Sequence, residues 1–240
     1  MRERRQPDLL GAPAAEEPPH QHGHRERLKA RFAAHGADAM PDYELLELVL
    51  FAAIPRRDVK PLAKRLIARF GDFNHAISAE PARLREVEGA GEAVIHQLKL
   101  VEAAARRLAR SRALGRPALS SWSTVVDYCK TQMAHETVEQ FRVLYLDKRN
   151  VLIADEALAR GTVDAVAVYP REVVKRALEL SASAVILAHN HPSGDATPSQ
   201  ADIEMTRRIK GALRSVEIAL HDHLVIGKDR DASFHALGLL

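Results

Sequence analysis

The residues His189, His191, Ser199 and Asp202 lie within the segment "HNHPSGDATPSQAD", residues 189–202, where an apolar stretch gives way to a helical pattern. Side chains two apart on an extended strand point the same way, so His189 and His191 share one face. Ser199 and Asp202 are three apart and share one side of the first helical turns. Neutral imidazoles and carboxylates are zinc ligands, and three protein ligands with one open position are typical of catalytic zinc. The spacing therefore predicts a zinc centre at His189, His191 and Asp202.

The residues around Ser199 predict how the helix begins and what chemistry the centre performs. Thr197 is suited to the N-cap, Pro198 to the first helical position and Gln200 to a capping box. A carboxylate at Asp202 also gains from the positive end of the helix dipole. Zinc lowers the pKa of a bound water molecule to about 7. Ser199 could then donate to the oxyanion that forms when a carbonyl is attacked, so the pattern predicts carbonyl hydrolysis.

A second His-x-His sequence occurs at His221 and His223. Histidine pairs with this spacing are common, and this pair lacks the rest of the pattern H-x-H-P-x6-S-x2-D at a strand-to-helix junction. We therefore interpret His221 and His223 as ordinary residues of a strand and only the first pair as metal ligands.

The composition limits the class of protein. The chain of 240 residues is 46% hydrophobic and 28% charged, which is ordinary for a soluble globular protein. No apolar run approaches the roughly 18 residues of a membrane helix, and the basic N-terminus lacks the apolar segment of a secretory signal. The single cysteine, Cys129, excludes a disulfide framework and the paired cysteines of zinc nucleobase deaminases. We expect a cytoplasmic protein without a membrane partner.

Positive charge is concentrated in the first half of the chain. Residues 1–119 carry 21 Lys and Arg against 16 Asp and Glu, whereas residues 120–240 carry 14 against 16. An excess of basic side chains attracts polyanions such as nucleic acid. A solvated helical surface accounts for the same excess, so both interpretations stay open at this point.

Periodicity divides the chain into four segments. Residues 1–23 are rich in Pro, Ala and charge and predict a disordered tail. Helical patterns run through residues 24–112 and end at a linker, residues 113–119. Residues 120–240 alternate strand and helix patterns, with one predicted strand at 163–169 and an apolar strand at the centre. This alternation predicts a three-layer α/β domain.

The segment "HNHPSGDATPSQADIEMTRRI" resembles the JAMM/MPN signature, specifically in its RadC branch. The segments "VYPREVVKRALELSASAVILAHNHPSGD" and "DHLVIG" are similar to that branch, and "PDYELLELVLFAAIPRRDVKPLAKRLIARFG" resembles the helical region that precedes it. The likeness covers roughly residues 25–240. It implies an N-terminal all-α helix-hairpin-helix module followed by a three-layer α/β JAMM/MPN domain of the cytidine-deaminase-like type.

The resemblance also implies roles for particular residues. JAMM proteins are zinc-dependent peptidases or isopeptidases in which two histidines and an aspartate hold the metal and a serine assists the oxyanion. The corresponding positions here are His189, His191, Asp202 and Ser199.

The family's general base is a glutamate at the start of an earlier strand, and its Glu-x-Phe pattern points to Glu139. A carboxylate at that place can take a proton from water and pass it to a leaving amine. Glu136 and Glu172 are the competitors. The position of Glu172 in the first turn of a helix already has an explanation in the helix dipole.

The segment "LREVEGAGEAVIHQLKLV" resembles a helix-hairpin-helix with Gly89 and Gly91 in the turn. Backbone N–H groups at such a turn can bind a phosphate without reading sequence. Glu88 and Glu92 flank these glycines, where a DNA-binding protein gains from Lys or Arg. The turn is therefore interpreted either as a phosphate site for DNA or as a compact helical connection or protein docking surface.

Two functions follow from these observations. The first is a zinc metallopeptidase that cleaves peptide or isopeptide bonds in a protein or peptide substrate. The second is a non-catalytic DNA-associated factor, of the repair or recombination type, in which zinc is structural and the hairpin binds DNA. Fold and metal site alone do not determine the substrate.

Overall fold

A computed structural model of the chain describes residues 21–115, 117–118, 122–161 and 168–240, and the first of these ranges is helical. The predicted tail lies mainly outside the described residues. The helices are α1 Gln21–His35, α2 Asp42–Ala53, α3 Lys60–Phe70, α4 Phe73–Ser78, α5 Pro81–Arg85 and α6 Glu92–Ala113, with a short 3-10 helix at Ala37–Ala39.

An apolar core holds α2 to α6 together. Its fully buried side chains include Leu46, Leu50, Leu66, Leu84 and Leu98, which come from four of these helices. Burial of a leucine contributes about 1.5–3 kcal/mol to stability, so this part of the chain has a core of its own. No helix in the described part of the chain combines the length and apolar character that crossing a bilayer requires.

The second half of the chain forms a five-stranded mixed sheet. The strands are β1 Glu139–Leu146, β2 Leu152–Gly161, β3 Ala184–Asn190, β4 Ala219–Ile226 and β5 Asp231–Ser233, in the order β2-β1-β3-β4-β5. Only β3 and β4 are parallel to each other. Of the strand predicted at 163–169, residues 163–167 lie outside the described residues, and Val168 and Tyr169 form no strand but lead into the helix that begins at Pro170.

Three helices cover the two faces of the sheet: α7 Trp122–Met133, α8 Pro170–Glu179 and α9 Gln200–Arg214. The helix α7 packs on one face, where Ile186 and Ala188 of β3 point. The helices α8 and α9 pack on the other face, against Val185 and Leu187. Every residue of β3 is buried, as expected for a central strand with helices on both sides. The predicted class, a helical region followed by a layered α/β domain, is confirmed.

The helical region contacts the α/β domain close to the start of β1. Arg106 of α6 forms an ion pair with Glu136 at 2.7 Å and accepts, through its carbonyl, a hydrogen bond from the side chain of Gln132 at 3.1 Å. The rings of His75 and His135 lie 4.5 Å apart, edge to face. The segment leading into β1 is therefore held against the helical region by residues of α4 and α6.

Candidate metal centre

The histidines of the candidate centre are positioned by the end of β3. Side chains alternate along this strand, and Val185, Leu187 and His189 share the face covered by α9. Just beyond the strand, the N–H of His191 donates to the carbonyl of Ile226 at 2.9 Å, which holds the loop against β4. The strand end therefore directs His189 toward α9, and the loop that follows supplies His191.

The aspartate is positioned by the first turn of α9, which does not begin where the sequence predicted. The prediction placed Thr197 at the N-cap and Pro198 at the first helical position, but Ser199 is the N-cap and Gln200 is the first helical residue. The N–H of Ser199 donates to Asp202 Oδ2 at 2.7 Å, and the N–H of Asp202 donates to Ser199 Oγ at 3.2 Å. This reciprocal capping box uses Asp202 where the prediction had Gln200, because Ser199 and Asp202 satisfy each other's N–H groups, and the carboxylate also gains from the helix dipole.

Thr197 instead supports the loop before the helix. Its N–H and its hydroxyl both donate to Asp195 Oδ1, at 3.0 Å and 2.7 Å. These hydrogen bonds lower the pKa of Asp195, so the carboxylate stays ionised and the turn stays closed.

Three potential ligand atoms converge at this junction. His189 Nε2 lies 2.9 Å from His191 Nε2 and 3.4 Å from Asp202 Oδ1, and His191 Nε2 lies 3.6 Å from Asp202 Oδ2. All three ligand atoms lie within 4.8 Å of one another. In a tetrahedral zinc site, two ligand atoms are separated by about 3.3 Å. The two histidine–aspartate distances are close to that value but reach different oxygens of Asp202, so the carboxylate would have to turn and the histidine pair to open slightly around an ion. The His-His-Asp group could therefore bind a metal ion.

Hydrogen bonding keeps Asp202 ionised in spite of its burial. Burial alone would raise the pKa of this carboxyl, but the neighbouring imidazoles of His189 and His191, which can carry a positive charge, and the hydrogen bond from Ser199 outweigh it and hold the pKa far below its usual range. The Ser199 hydroxyl donates to Asp202 Oδ2 at 2.6 Å. An anionic oxygen is thus available to a cation at any physiological pH.

His191 presents its Nε2 atom to the centre. Its Nδ1–H donates to the backbone carbonyl of Asp195 at 2.7 Å, and since a carbonyl oxygen only accepts, the hydrogen is on Nδ1. The hydrogen bond with Asp202 raises the pKa of His191, against the effect of burial, and the carbonyl of Asp195 and the charge of Glu139 act in the same direction.

Glu139 lies at the same end of the sheet. It is the half-buried first residue of β1, which pairs with β3 in antiparallel register with Phe141 opposite His189. Continuing that register sets Glu139 opposite His191. This placement agrees with the effect of its charge on the His191 pKa. The structure therefore brings Glu139 to the edge of the candidate centre.

Asn190 holds the segment that carries Glu139, and the sequence alone did not identify this role. The Asn190 side chain is buried, accepts a hydrogen bond from the Gln140 N–H at 2.8 Å and donates to the Val138 carbonyl at 3.2 Å. These two contacts lie on either side of Glu139 in the chain. Asn190 therefore fixes the start of β1 relative to the end of β3.

The two competing glutamates have other surroundings. Glu136 forms its ion pair with Arg106 of the helical region at 2.7 Å. Glu172 lies in the first turn of α8 with half of its side chain exposed, 3.2 Å from Arg171. Among the three, the geometry favours Glu139 as the base, and its role stays a prediction, as does the oxyanion role of Ser199.

His223 lies in strand β4, as predicted, and outside the His-His-Asp group, but it is not an ordinary strand residue because its side chain contacts His189. Its side chain is completely buried on the α9 face, with Nε2 2.8 Å from His189 Nδ1 and Nδ1 2.6 Å from Thr206 Oγ1. Burial and the neighbouring His189 hold the pKa of His223 well below its ordinary value. His221 differs, since it is half-buried and contacts Asn150. The alternation of side chains along β4 could have predicted that His223 faces α9, but its contact with His189 follows only from the pairing of β4 with β3.

The glycines of the predicted hairpin lie in the turn between α5 and α6. Gly89 has a φ of +90° and Gly91 is the N-cap of α6. Arg65 donates to the Glu88 carbonyl at 2.9 Å, so a guanidinium lies at the turn. Glu92 forms an ion pair with Arg85 at 2.7 Å. The tight turn is present, and its binding to DNA stays a prediction.

The fold, with helices on both faces of a mixed sheet, and the His-His-Asp junction together define the class. The family model described as the RadC-like JAB domain matches residues 119–239. The chain belongs to this family, and the resemblance noted in the sequence is confirmed. A UPF0758 protein of Rhodobacter capsulatus is 68% identical over 213 residues, which cover 89% of this chain and 100% of that protein. A UPF0758 protein of Ruegeria pomeroyi is 63% identical over 217 residues, which cover 90% of this chain and 97% of that protein.

Proposed function

We propose that the protein is a zinc-dependent hydrolase that cleaves peptide or isopeptide bonds. The observation that carries the proposal is the convergence of His189 Nε2, His191 Nε2 and an Asp202 oxygen within 4.8 Å of one another. Two neutral nitrogen ligands and one carboxylate suit zinc better than calcium or magnesium, which prefer oxygen ligands. Three protein ligands also leave a coordination position for water or substrate.

The chain's own residues supply the remaining parts of the chemistry. Zinc, when bound, lowers the pKa of water to about 7 and polarises a carbonyl. Glu139 accepts the proton released by the attacking water and delivers it to the leaving amine. Ser199 donates its hydroxyl to the oxyanion, which requires it to exchange its present acceptor, Asp202 Oδ2 at 2.6 Å, for the substrate oxygen.

A panel of three glutamate substitutions tests this proposal. Glu139→Gln should retain zinc and lose hydrolysis by about 100-fold or more, the usual contribution of a general base. Glu136→Gln and Glu172→Gln are the matched controls and should keep hydrolysis near the wild-type rate. The measurement is the release of new amino groups from peptide and lysine-isopeptide libraries by the zinc-loaded full-length protein, beside its zinc stoichiometry. A zinc-loaded wild type that cleaves nothing, or an active Glu139→Gln variant, would contradict the proposal.

The alternative proposal is a DNA-associated factor in which the metal braces the fold. The observation that favours it is the guanidinium of Arg65 at the Gly89 turn, with Arg85 nearby on α5. Under this alternative the full-length protein binds duplex DNA with an affinity that falls steeply with salt and is weakened by Arg65→Gln. Salt-dependent binding without hydrolysis would favour the alternative, and hydrolysis without DNA binding would remove it.

A further inference from the structure

A chain of hydrogen bonds leads away from His189 through β4 to α9. His189 Nδ1 lies 2.8 Å from His223 Nε2, and His223 Nδ1 lies 2.6 Å from Thr206 Oγ1. The Thr206 hydroxyl lies 2.6 Å from the backbone carbonyl of Asp202. The side chains of His189, His223 and Thr206 are all buried, with at most 1% of each residue exposed. Each hydrogen of this chain must therefore be assigned to a protein atom.

The carbonyl of Asp202 decides the direction of the whole chain. A carbonyl oxygen only accepts, so the single hydroxyl hydrogen of Thr206 points to Asp202, and Thr206 Oγ1 accepts from His223. His223 therefore carries a hydrogen on Nδ1. Its ring packs between Phe141 and Phe234, with ring centroids 5.6 Å and 4.6 Å away. A second ring hydrogen would make it a cation in apolar surroundings, so Nε2 is bare.

A bare Nε2 on His223 requires His189 to donate from Nδ1. The remaining nitrogen, His189 Nε2, then carries a lone pair that points at His191 and Asp202. A metal-binding histidine generally donates its other ring N–H to a carbonyl or a carboxylate, as His191 does to Asp195. His189 instead donates to a second imidazole, whose own hydrogen is placed by a threonine.

We propose that His223 and Thr206 are positioning residues that fix His189 in the tautomer that presents Nε2 to the metal. This inference rests on the metal centre in the proposed function, but it concerns the metal-free protein as much as the loaded one. The main chain that carries the His223 ring is held in place, because the Asp222 carboxylate accepts from the backbone N–H of His223 at 2.7 Å and from the backbone N–H of His235 at 2.9 Å. The same carboxylate thus joins β4 to the segment that carries Phe234.

The first test is the substitution Thr206→Val, which keeps the shape of the side chain and removes the acceptor for His223. His223 then gains by moving its hydrogen to Nε2, which forces His189 to carry its own hydrogen on the metal-facing nitrogen. Zinc affinity, measured by competition with a chromophoric chelator, should fall by about 10- to 100-fold, as for other partners of metal-binding histidines. Thr206→Ser restores the hydroxyl and should restore the affinity.

Two further variants separate this role from a general loss of packing. Thr131→Val is the matched control, because the Thr131 hydroxyl donates to the carbonyl of Asp127 four residues earlier, as Thr206 does to Asp202, but lies far along the chain from the metal ligands on a different helix, α7. It should leave zinc affinity unchanged. His223→Gln offers an amide oxygen in place of Nε2 and should lose less affinity than His223→Phe.

The decisive measurement uses the zinc-free wild-type protein and needs no variant. Nitrogen-15 spectra of the histidine rings at alkaline pH distinguish a protonated ring nitrogen from a bare one. We expect His189 and His223 both to carry their hydrogen on Nδ1. A hydrogen on Nε2 of His189, or a folded Thr206→Val variant with wild-type zinc affinity, would overturn the inference. The tautomer is measured without zinc or substrate. A different tautomer would therefore not contradict the proposed hydrolase, and a lack of hydrolysis would not contradict the tautomer.

Discussion

A sequence motif predicted a binding site both at the candidate metal centre and at the glycine turn between α5 and α6. The two places differ in the burial of their polar side chains. At the centre, His189 and Asp202 are buried, and their polar atoms are held by neighbouring side chains. Three potential ligand atoms point at one another within 4.8 Å. The groups that would bind a ligand are thus oriented before any ligand arrives.

At the glycine turn, the charged side chains face solvent and contact one another. Arg85 and Glu92 are more than half exposed, at 54% and 59%, and form an ion pair. An exposed pair of this kind contributes little to stability and rearranges easily. The comparison teaches that burial and fixed hydrogen bonds, beyond the spacing of residue types, distinguish a preorganised site from a surface turn.

The largest effect that sharpens this comparison is expected from Asp202→Asn. The substitution keeps the size of the side chain and most of the helix cap but removes the anionic ligand. Loss of a hydrogen-bonding partner of a metal ligand costs about 10- to 100-fold in affinity, so loss of a ligand should exceed about 100-fold. Zinc affinity is measured by chelator competition.

The control for Asp202→Asn is Asp195→Asn in the same loop. Only the backbone carbonyl of Asp195 contacts His191, and the carboxylate accepts from Thr197. Zinc affinity should therefore be close to wild type in Asp195→Asn. Equal affinities in the two variants would mean that the metal, if bound, is held elsewhere.

The next effect is on pH dependence: acidification should lower the zinc affinity but strengthen the contribution of His191 to the stability of the zinc-free protein. The pKa of His191 in the zinc-free protein is raised above its ordinary 6.5 by Asp202. A proton on His191 competes with the metal, so on acidification zinc affinity should begin to fall above pH 6.5. The decrease should be about tenfold per pH unit for each proton displaced. The measurement is a series of chelator competitions across this range.

The stability of the zinc-free protein should change in the other direction. Because the folded-state pKa of His191 is raised, its contribution to stability is fully present below about pH 6.5 and is lost as the pH rises through the folded value. Asp202 has a lowered pKa, so its contribution is present above its unfolded value of 3.8 and is lost only on stronger acidification. Thermal unfolding at several pH values, with and without zinc, tests both signs. Glu92→Gln at the exposed turn should leave the profiles above about pH 6 unchanged, and a shift in that range would break the comparison.

The sequence was sufficient for the parts of the site that depend on local spacing. The alternation of side chains along an extended strand predicted that His189 and His191 lie on the same side. The residue types favoured at helix N-termini predicted a helix start within two residues of Ser199. The start itself was wrong because Ser199 and Asp202 satisfy each other's N–H groups, which a count of favoured residue types does not reveal. Local rules therefore predicted the ligands and misplaced the cap.

The parts of the site that depend on tertiary pairing could not be predicted. His223 and Thr206 are 34 and 17 residues from His189 along the chain and become its neighbours only because β4 and α9 pack beside β3. Asn190 belongs to the motif, but its contact with the start of β1 requires the antiparallel register of β1 and β3. Distances of this kind follow from strand order, and strand order is not readable from periodicity.

The smallest expected effect is a loss of stability on substitution in the glycine turn itself. A change of zinc affinity in the same variant would break the comparison. Gly89 has a φ of +90°, and a Cβ atom there would lie 3.2 Å from the guanidinium of Arg65. Gly89→Ala should lower the free energy of unfolding by about 1 kcal/mol, because L residues with side chains rarely adopt this conformation.

Gly211→Ala in α9 is the matched control with the opposite sign. A Cβ atom at Gly211 meets nothing within 4 Å, and alanine in a helix interior is favoured over glycine by up to about 1 kcal/mol. The first variant should therefore unfold at a lower denaturant concentration than wild type and the second at a higher one, with equal zinc affinities in all three proteins. A change of zinc affinity in Gly89→Ala would show that the turn and the centre are coupled through the contact between α6 and the start of β1, and the two regions would then have to be treated as one site.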